Sequence, residues 1–415
     1  MLWYNNKFSI IQTKEDNKCF IFNKITEEKE YINIDLFELL CRLNNIYCLE
    51  EDIKNYLFEI GILETLIEKE ILINQPSCES DNVFVQTSEK LDRLFLEVSQ
   101  KCNLRCKHCY NESSFSLNDG LSTEDITNLI THAKSCGCYI FQITGGEPLI
   151  RKDIQEILER IGEKGFKITI FTNLTYLPTK LIVQLKKYHI KIVTSIDFFD
   201  SVKHDEFRGK QGALKATLKN VKKLKENGIE VRVNMMIDGK SDSELERLIN
   251  YLKCDLKVSY IADVIIPTGR GKKLIDKSYL SNVSKRYKHI AIDSVVNPDK
   301  LDLSKKIDCA TSCIYSSACG VGNNFLFFDS LGNATICPSL RKNDSDRFYF
   351  GNIKQQNLNQ ILINFSNNKP DISCKYAEAC PFSKQCNGGC RSRAYHFLGD
   401  VREVDPIMCN IYNQN

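Results

Sequence analysis

The chain has 415 residues, 42% hydrophobic and 26% charged, with 56 Lys and Arg against 53 Asp and Glu for a formal net charge of +3. This length exceeds one ordinary core and predicts two to four domains; the balance excludes a disordered chain and, with no apolar run near the roughly 18 residues that span a bilayer, a membrane partner. The start "MLWYNNKFSIIQTKEDNK" lacks the basic and apolar segments of a secretory signal, so a cytoplasmic location is expected, where the 19 cysteines serve metal binding or chemistry rather than disulfides.

Residues 1–82 hold 8 Lys and Arg against 16 Asp and Glu, a net charge of −8, which leaves +11 for the remainder. Strand-like runs near 8–13, 18–24 and 29–33, helical patterns near 35–44, 50–59 and 62–69, and the short run "EILIN" make a small winged-helix order. The polar stretch "NQPSCESDN" at 74–82 reads as the linker that ends it. A winged helix raises DNA binding, but the phosphate backbone requires a basic surface, and this acidic balance argues against a nucleic-acid partner.

From Leu94 the pattern alternates. The runs "LFLEV", "YIFQIT", "FKITIFT", "IKIVTSI", "IEVRVNMMI" and "LKVSYIADVII" read as strands, with amphipathic helices between most of them. In the first helix Ile126, Leu129, Ile130 and Ala133 fall on one face, and Ser122 with Asp125 offers a capping box. Six such strands imply parallel pairing through right-handed crossovers. The expected fold is therefore α/β: a partial (β/α)6 TIM barrel over 88–300, its site at the C-terminal ends of the strands, with the winged-helix domain over 1–82 and a Cys-rich domain over 301–415. In that last region regular alternation stops, so metal clusters are expected to hold it together.

Cys102, Cys106 and Cys109 follow directly on the first barrel strand as C-x3-C-x2-C. Zinc wants four ligands, and His108, placed between Cys106 and Cys109, makes an awkward fourth. A [4Fe–4S] cluster on three thiolates leaves one iron open for a substrate or cofactor. The second strand ends in "TGGEP", whose glycines let backbone approach a ligand and whose Glu147 is suited to accept from an ammonium group.

These motifs, with Tyr110 beside the last Cys, resemble those of the radical S-adenosylmethionine enzymes. The resemblance implies that S-adenosylmethionine chelates the open iron and that its reductive cleavage yields a 5′-deoxyadenosyl radical that abstracts hydrogen. It places Tyr110, Gly145, Gly146, Glu147 and Pro148 around the cofactor. Within "SIDFFDSVKHDEFRG" it gives Ser195 and Arg208 to the cofactor carboxylate. Asn173, Asp197 and Asn234 are candidates for ribose or substrate contacts, or strand-end caps. No catalytic acid or base is assigned.

The C-terminal cysteines, above all in "CNGGCRSRAYHFLGD", resemble the SPASM extension of that family, which carries two auxiliary [4Fe–4S] clusters and brings the expected total to three. By order, the resemblance gives Cys313, Cys319, Cys337 and Cys390 to the first and Cys374, Cys380, Cys386 and Cys409 to the second. The chain departs from the family in spacing Cys374 and Cys380 five residues apart, with Ala377 where a Cys is usual, and in carrying a spare Cys309 that could replace Cys313. Zinc ribbons would instead suit short C-x2-C pairs, of which the chain has one, inside the first motif.

The N-terminal domain resembles the peptide-recognition domain of enzymes that modify ribosomally made peptides, in which a leader peptide adds as a strand to an exposed sheet edge. Together the three parts resemble the sactipeptide and ranthipeptide maturases. That implies a precursor peptide as partner, a low-potential electron donor such as flavodoxin or ferredoxin, and thioether formation from peptide Cys sulfur to carbon. Other cross-links, Ser or Cys oxidation as in sulfatase maturation, and a non-catalytic iron–sulfur regulator are the alternatives.

Overall fold

The computed structural model describes residues 3–13, 18–46, 51–74, 82–86, 91–118, 120–237, 242–275, 278–284, 321–341, 344–386 and 388–412. Cys309, Cys313 and Cys319 lie outside the described residues.

The N-terminal part runs β1 (Trp3–Tyr4), β2 (Phe8–Thr13), β3 (Lys18–Asn23), β4 (Lys29–Ile32), α1 (Ile34–Ile46), α2 (Glu51–Glu59), α3 (Leu63–Glu68) and β5 (Leu72–Ile73). The strand and helix order matches the expectation. Strand β6 (Val83–Gln86), beyond the predicted linker, pairs in parallel with β2 and completes a sheet of order β4-β3-β2-β6. Period-2 alternation splits this sheet's side chains. Ile10, Cys19 and Ile21 pack with Phe37, Leu40, Leu57 and Leu66 of the helices, whereas Ile11, Phe20, Phe22 and Phe84 join the main core.

That core belongs to a parallel sheet built by β7 (Arg93–Glu97), α4 (Thr123–Ser135), β8 (Ile140–Thr144), α5 (Ile154–Glu163), β9 (Lys167–Phe171), α6 (Leu181–Lys187), β10 (Lys191–Ser195), α7 (Ser201–Arg208), α8 (Ala213–Glu226), β11 (Val231–Met236), α9 (Asp242–Asn250) and β12 (Ser259–Asp263). The six strands pair in parallel in sequence order, as expected. Ser122 caps α4 reciprocally with Asp125, and Ile126, Leu129, Ile130 and Ala133 are buried. Leu94, Leu96, Ile143, Ile168 and Ile170 face the helices. The other sheet face carries Phe95, whose ring meets Phe171 at 5.1 Å and Phe327 at 5.7 Å between centroids.

The C-terminal region departs from expectation. Strand β13 (Phe325–Phe328) pairs in parallel with β7, and β14 (Asn333–Thr335) and β15 (Tyr349–Asn352) extend the same sheet to nine strands. Helices α10 (Leu358–Asn368), α11 (Ser383–Cys386), α12 (Arg391–Leu398) and α13 (Pro406–Tyr412) follow. Phe328, Ile336, Leu340, Phe348, Phe350, Ile361 and Leu362 are buried in the main core, so apolar packing organises this region where metal clusters alone were expected to. Each such side chain stabilises by about 1.5 to 3 kcal/mol.

The N-terminal sheet sits against the other end of the barrel strands from their C-terminal tips. Phe22 and Phe84 pack edge-on to Tyr139, which precedes β8, and Phe84 meets Phe166, which precedes β9, at 5.6 Å. Lys24 Nζ donates to Gly165 O at 3.1 Å, and Lys167 pairs with Glu27. No helix among the described residues is long and apolar enough to cross a membrane.

Candidate metal and cofactor site

The three cysteines sit on the loop after β7, at the C-terminal strand ends. Backbone positions this loop: Val98 N donates to Thr144 O, Gly146 N to Ser99 O and Glu147 N to Lys101 O, at 2.9, 2.6 and 2.9 Å. A Cβ on Gly145 would stand 2.6 Å from Ser99 O, and one on Gly146 2.4 Å from Lys101 O. The glycines of "TGGEP" thus admit the protein's own backbone, the segment leading into Cys102, where the sequence suggested approach to a ligand.

Cys102 is buried, and Cys106 and Cys109 are half-buried. Burial pushes the Cys102 thiol up to about 12, with further upward pressure from Glu147, Cys106 and Cys109, so the three sulfurs feel one another. Burial also raises Cys106, against the lowering field of Arg208. Thiolates form here only with compensating positive charge, which bound irons provide. Among the described residues no three His, Cys, Asp or Glu side chains close on one point as a single ion needs. A cluster, unlike an ion, holds its thiolates apart around its own volume, and three neighbouring thiols on one loop that influence one another's charge fit one. His108 stacks on Phe207 at 4.6 Å, and burial pushes its pKa down to about 3.

The other predicted positions surround these thiols, with side-chain commitments of their own. Glu147 is fully buried; its Oε1 accepts from Thr172 Oγ1 at 2.6 Å and Leu149 N at 2.9 Å, and its Oε2 from Asn173 N at 2.6 Å. The carboxylate therefore ties the tip of β8 to that of β9, where acceptance from an ammonium group was expected. Burial raises its pKa to about 7. Pro148 opens the 3-10 turn that Glu147 caps. Asn173 Nδ2 reaches Cys102 Sγ at 3.9 Å and Asn103 Oδ1 at 2.9 Å. Ser195 ends β10 in register with Asn234.

Arg208, expected at the cofactor carboxylate, donates from Nε to Asp197 Oδ2 at 2.6 Å and from Nη1 to Cys106 Sγ at 3.8 Å. Asp197 Oδ1 in turn accepts from Met236 N at 3.0 Å. Desolvation opposes the charge on Asp197, but Arg208, His108 and His204 hold its pKa below the usual range. The pair links β10, α7 and β11 to the second thiol.

Two features escaped sequence reasoning. Arg270 donates from Nε to Cys106 O at 2.8 Å and from both Nη atoms to Ser113 O at 3.2 Å, while its backbone N donates to Cys109 O at 3.0 Å. Gly269 beside it has φ +54° and leaves no room for a Cβ, 2.5 Å from Tyr110 O. The signal was "TGRG" directly after the sixth strand. The second is buried Glu97 on β7, which accepts from Asn111 Nδ2 at 2.9 Å and Arg341 Nη2 at 2.7 Å. Arg341 lies 5.6 Å from the centroid of Tyr110, whose hydroxyl burial pushes well above its ordinary pKa.

The described C-terminal cysteines fall in two places. Burial, Asp405, Cys374 and Cys380 raise the Cys409 thiol, and burial, Asp405 and Cys409 raise Cys386 to about 11, so Cys374, Cys380, Cys386 and Cys409 share one locale. Cys390 caps α12, and Ser392 and His396 of that helix meet Ser339 O at 3.2 and 2.7 Å, two residues from Cys337. Arg393, 1% exposed, forks onto Asp405 at 2.5 and 3.0 Å and fixes this knot.

Residues 96–252 match the Radical SAM superfamily. The chain contains a radical SAM domain. It is 26% identical over 335 residues to the AdoMet-dependent heme synthase of Methanosarcina barkeri, covering 75% of this chain and 94% of that one. It is 27% identical over 310 residues to the antilisterial bacteriocin subtilosin biosynthesis protein AlbA of Bacillus subtilis, covering 72% and 68%. Among solved structures, SuiB of Streptococcus suis bound to its precursor peptide SuiA superposes with a TM-score of 0.67 over 98% of this chain and 99% of that one. At 16% identity this last likeness concerns the fold.

Proposed function

We propose that the protein is a radical S-adenosylmethionine enzyme that modifies a ribosomally made precursor peptide, forming thioether cross-links from Cys sulfur to carbon. The observation that carries this reading is an N-terminal part of net charge −8 over residues 1–82, whose sheet ends in an edge strand, β4, paired on one side only among the described residues, joined to a radical SAM domain. Tyr31 on that edge is 65% exposed, which offers an incoming strand both backbone groups and an aromatic contact. The sequence similarity to AlbA and the whole-chain likeness of fold to SuiB support it.

Cys102, Cys106 and Cys109 would hold the first cluster, with Tyr110, Gly145, Gly146, Glu147, Pro148, Asn173, Ser195 and Arg208 bounding the cofactor space. Cys374, Cys380, Cys386 and Cys409 would hold one auxiliary cluster and Cys337 and Cys390, with Cys313 and Cys319, another. When bound, the first cluster and S-adenosylmethionine supply a carbon radical that abstracts a substrate hydrogen. Arg270 and the "TGGEP" backbone keep the thiols in place, and Arg208 and Asn173 donate toward sulfur. A low-potential carrier such as flavodoxin or ferredoxin supplies the electron.

Mass spectrometry of a co-expressed precursor tests the reading. Loss of two hydrogens per link, with no thiol left to alkylate, is the expected result; an unmodified peptide, or a modified one whose thiols all alkylate, overturns thioether formation. The similarity to a heme synthase favours a second reading, chemistry on a tetrapyrrole, which conversion of an added iron porphyrin in place of the peptide would support.

A further inference from the structure

We infer that the outer face of α8, with the cysteine loop beside it, docks a small acidic protein carrying a low-potential one-electron centre; this rests on the radical SAM reading above. Lys215, Lys219 and Lys222 recur at i, i+4 and i+7 on α8 and are all exposed, so they form one stripe. Exposed Lys210 and Arg105 continue it past the helix start. None of these five side chains is in an ion pair among the described residues, whereas neighbouring Lys107 and Lys203 are neutralised by Glu206 and Glu244 at 2.5 and 2.7 Å. Asp205 accepts from Gly212 N and Leu214 N at 2.5 and 2.9 Å and so caps the helix, and Glu226, one turn beyond Lys222, forms no ion pair with it among the described residues.

The stripe ends at the cysteine loop, where exposed Arg105 stands between Leu104 and Cys106. Ala213, the first residue of α8, packs directly with Leu104, Cys102 and Cys106. Gly209 lets the corner before α8 close on the loop, since a Cβ there would lie 2.5 Å from Arg105 O. The lysines point away from Ala213, so a carrier seated on the stripe would approach the first cluster at the helix start, where exposed Arg105 lies between Leu104 and Cys106, and electron transfer falls steeply with distance. Charge selects the occupant: residues 83–415 carry +11 and residues 1–82 carry −8, so an acidic carrier is attracted to this part of the chain and repelled from the peptide-binding part. In the transfer one electron leaves a flavin hydroquinone, which becomes the semiquinone, and enters the cluster; no bond forms or breaks.

The test is stopped-flow reduction of the reconstituted protein by flavodoxin hydroquinone, for the wild type and for Lys215→Glu/Lys219→Glu/Lys222→Glu. The variant is expected to be reduced about tenfold more slowly at low salt, and the wild-type rate is expected to fall with ionic strength while the variant rate stays flat. Dithionite, which needs no docking, should reduce both proteins equally. Equal flavodoxin rates, a salt-independent wild-type rate, or no reduction of the wild type by flavodoxin overturns the docking site. Loss of heparin binding in the variant with unchanged reduction rates would assign the stripe to a polyanion and also overturns it. Absence of cofactor cleavage under dithionite, in contrast, refutes the enzymatic reading and leaves the docking rates to be judged separately.

Discussion

Arg341 donates from Nη2 to Oε2 of Glu97 at 2.7 Å, and its Nε donates to Pro338 O at 2.9 Å, so one guanidinium ties the base of the first cysteine loop to the segment that follows Cys337. Glu97 is wholly buried, and its other partners, Asn111 Nδ2 and Ser330 N, are neutral. A buried carboxylate that loses its paired cation is strongly destabilising. Arg341→Met should lower unfolding stability by about 3 kcal/mol, read as a fall in urea midpoint, and Glu97→Gln added to it should recover part of the loss. An unchanged midpoint in Arg341→Met would show the pair to be inert.

Gly146→Ala should deplete the first cluster, because the new Cβ meets Lys101 O at 2.4 Å and backbone cannot yield as a flexible side chain would. Iron and sulfide per chain after reconstitution should drop while the far-ultraviolet circular dichroism stays native. Full iron content in the variant would mean that the segment before Cys102 tolerates displacement.

Arg270→Ala removes three donations to the carbonyls of Cys106 and Ser113. The loop should loosen, with 5′-deoxyadenosine formation falling about tenfold and partial rescue by Arg270→Lys, which restores a single donor. Rescue to the wild-type rate by Lys would show that charge alone suffices. Cys106→Ala should abolish deoxyadenosine formation entirely.

Glu147 makes stability depend on pH. Its folded pKa of about 7 lies above the ordinary 4.5, so the folded state binds the extra proton between these values. The stabilisation is therefore complete below about 4.5 and is lost as pH rises toward 7, by up to a few kcal/mol. Urea midpoints across that window should slope downward with pH, and Glu147→Gln should flatten the slope. A slope unchanged in Glu147→Gln would assign it to other groups.

Tyr31→Lys places a cation on the edge of β4 without touching the cysteine loop. The apparent KM for precursor should rise about tenfold, with cofactor cleavage in the absence of peptide unchanged. An unaltered KM would remove β4 from the account of peptide recognition.

Local pattern made much of this molecule legible. The six parallel strands followed from alternation, the cap at Ser122 from its partner Asp125, and the meeting of "TGGEP" with the first cysteine loop from both motifs lying at adjacent strand ends. Strand β13 was not legible. Its pairing of Phe327 with Phe95 joins segments far apart in sequence, and nothing local marks "FLFF" as a barrel strand rather than a loop in a Cys-rich region. The same holds for Arg341 and Glu97. The side-chain commitments of Glu147 and Arg208 were hidden for another reason: residue type states which partners a group accepts, and only the packed fold decides which of them arrive first.

The position of the N-terminal sheet has a metric consequence. β4 lies beside Tyr139, before the first residue of β8, and the thiols lie past the last. Five residues of strand separate those two levels, about 17 Å, which an extended chain covers in about five residues. For a substrate moored along β4 as proposed, the count of residues between its moored segment and the position that reacts would act as a ruler, and shortening that spacer by more than the ruler allows should silence modification even when mooring is intact.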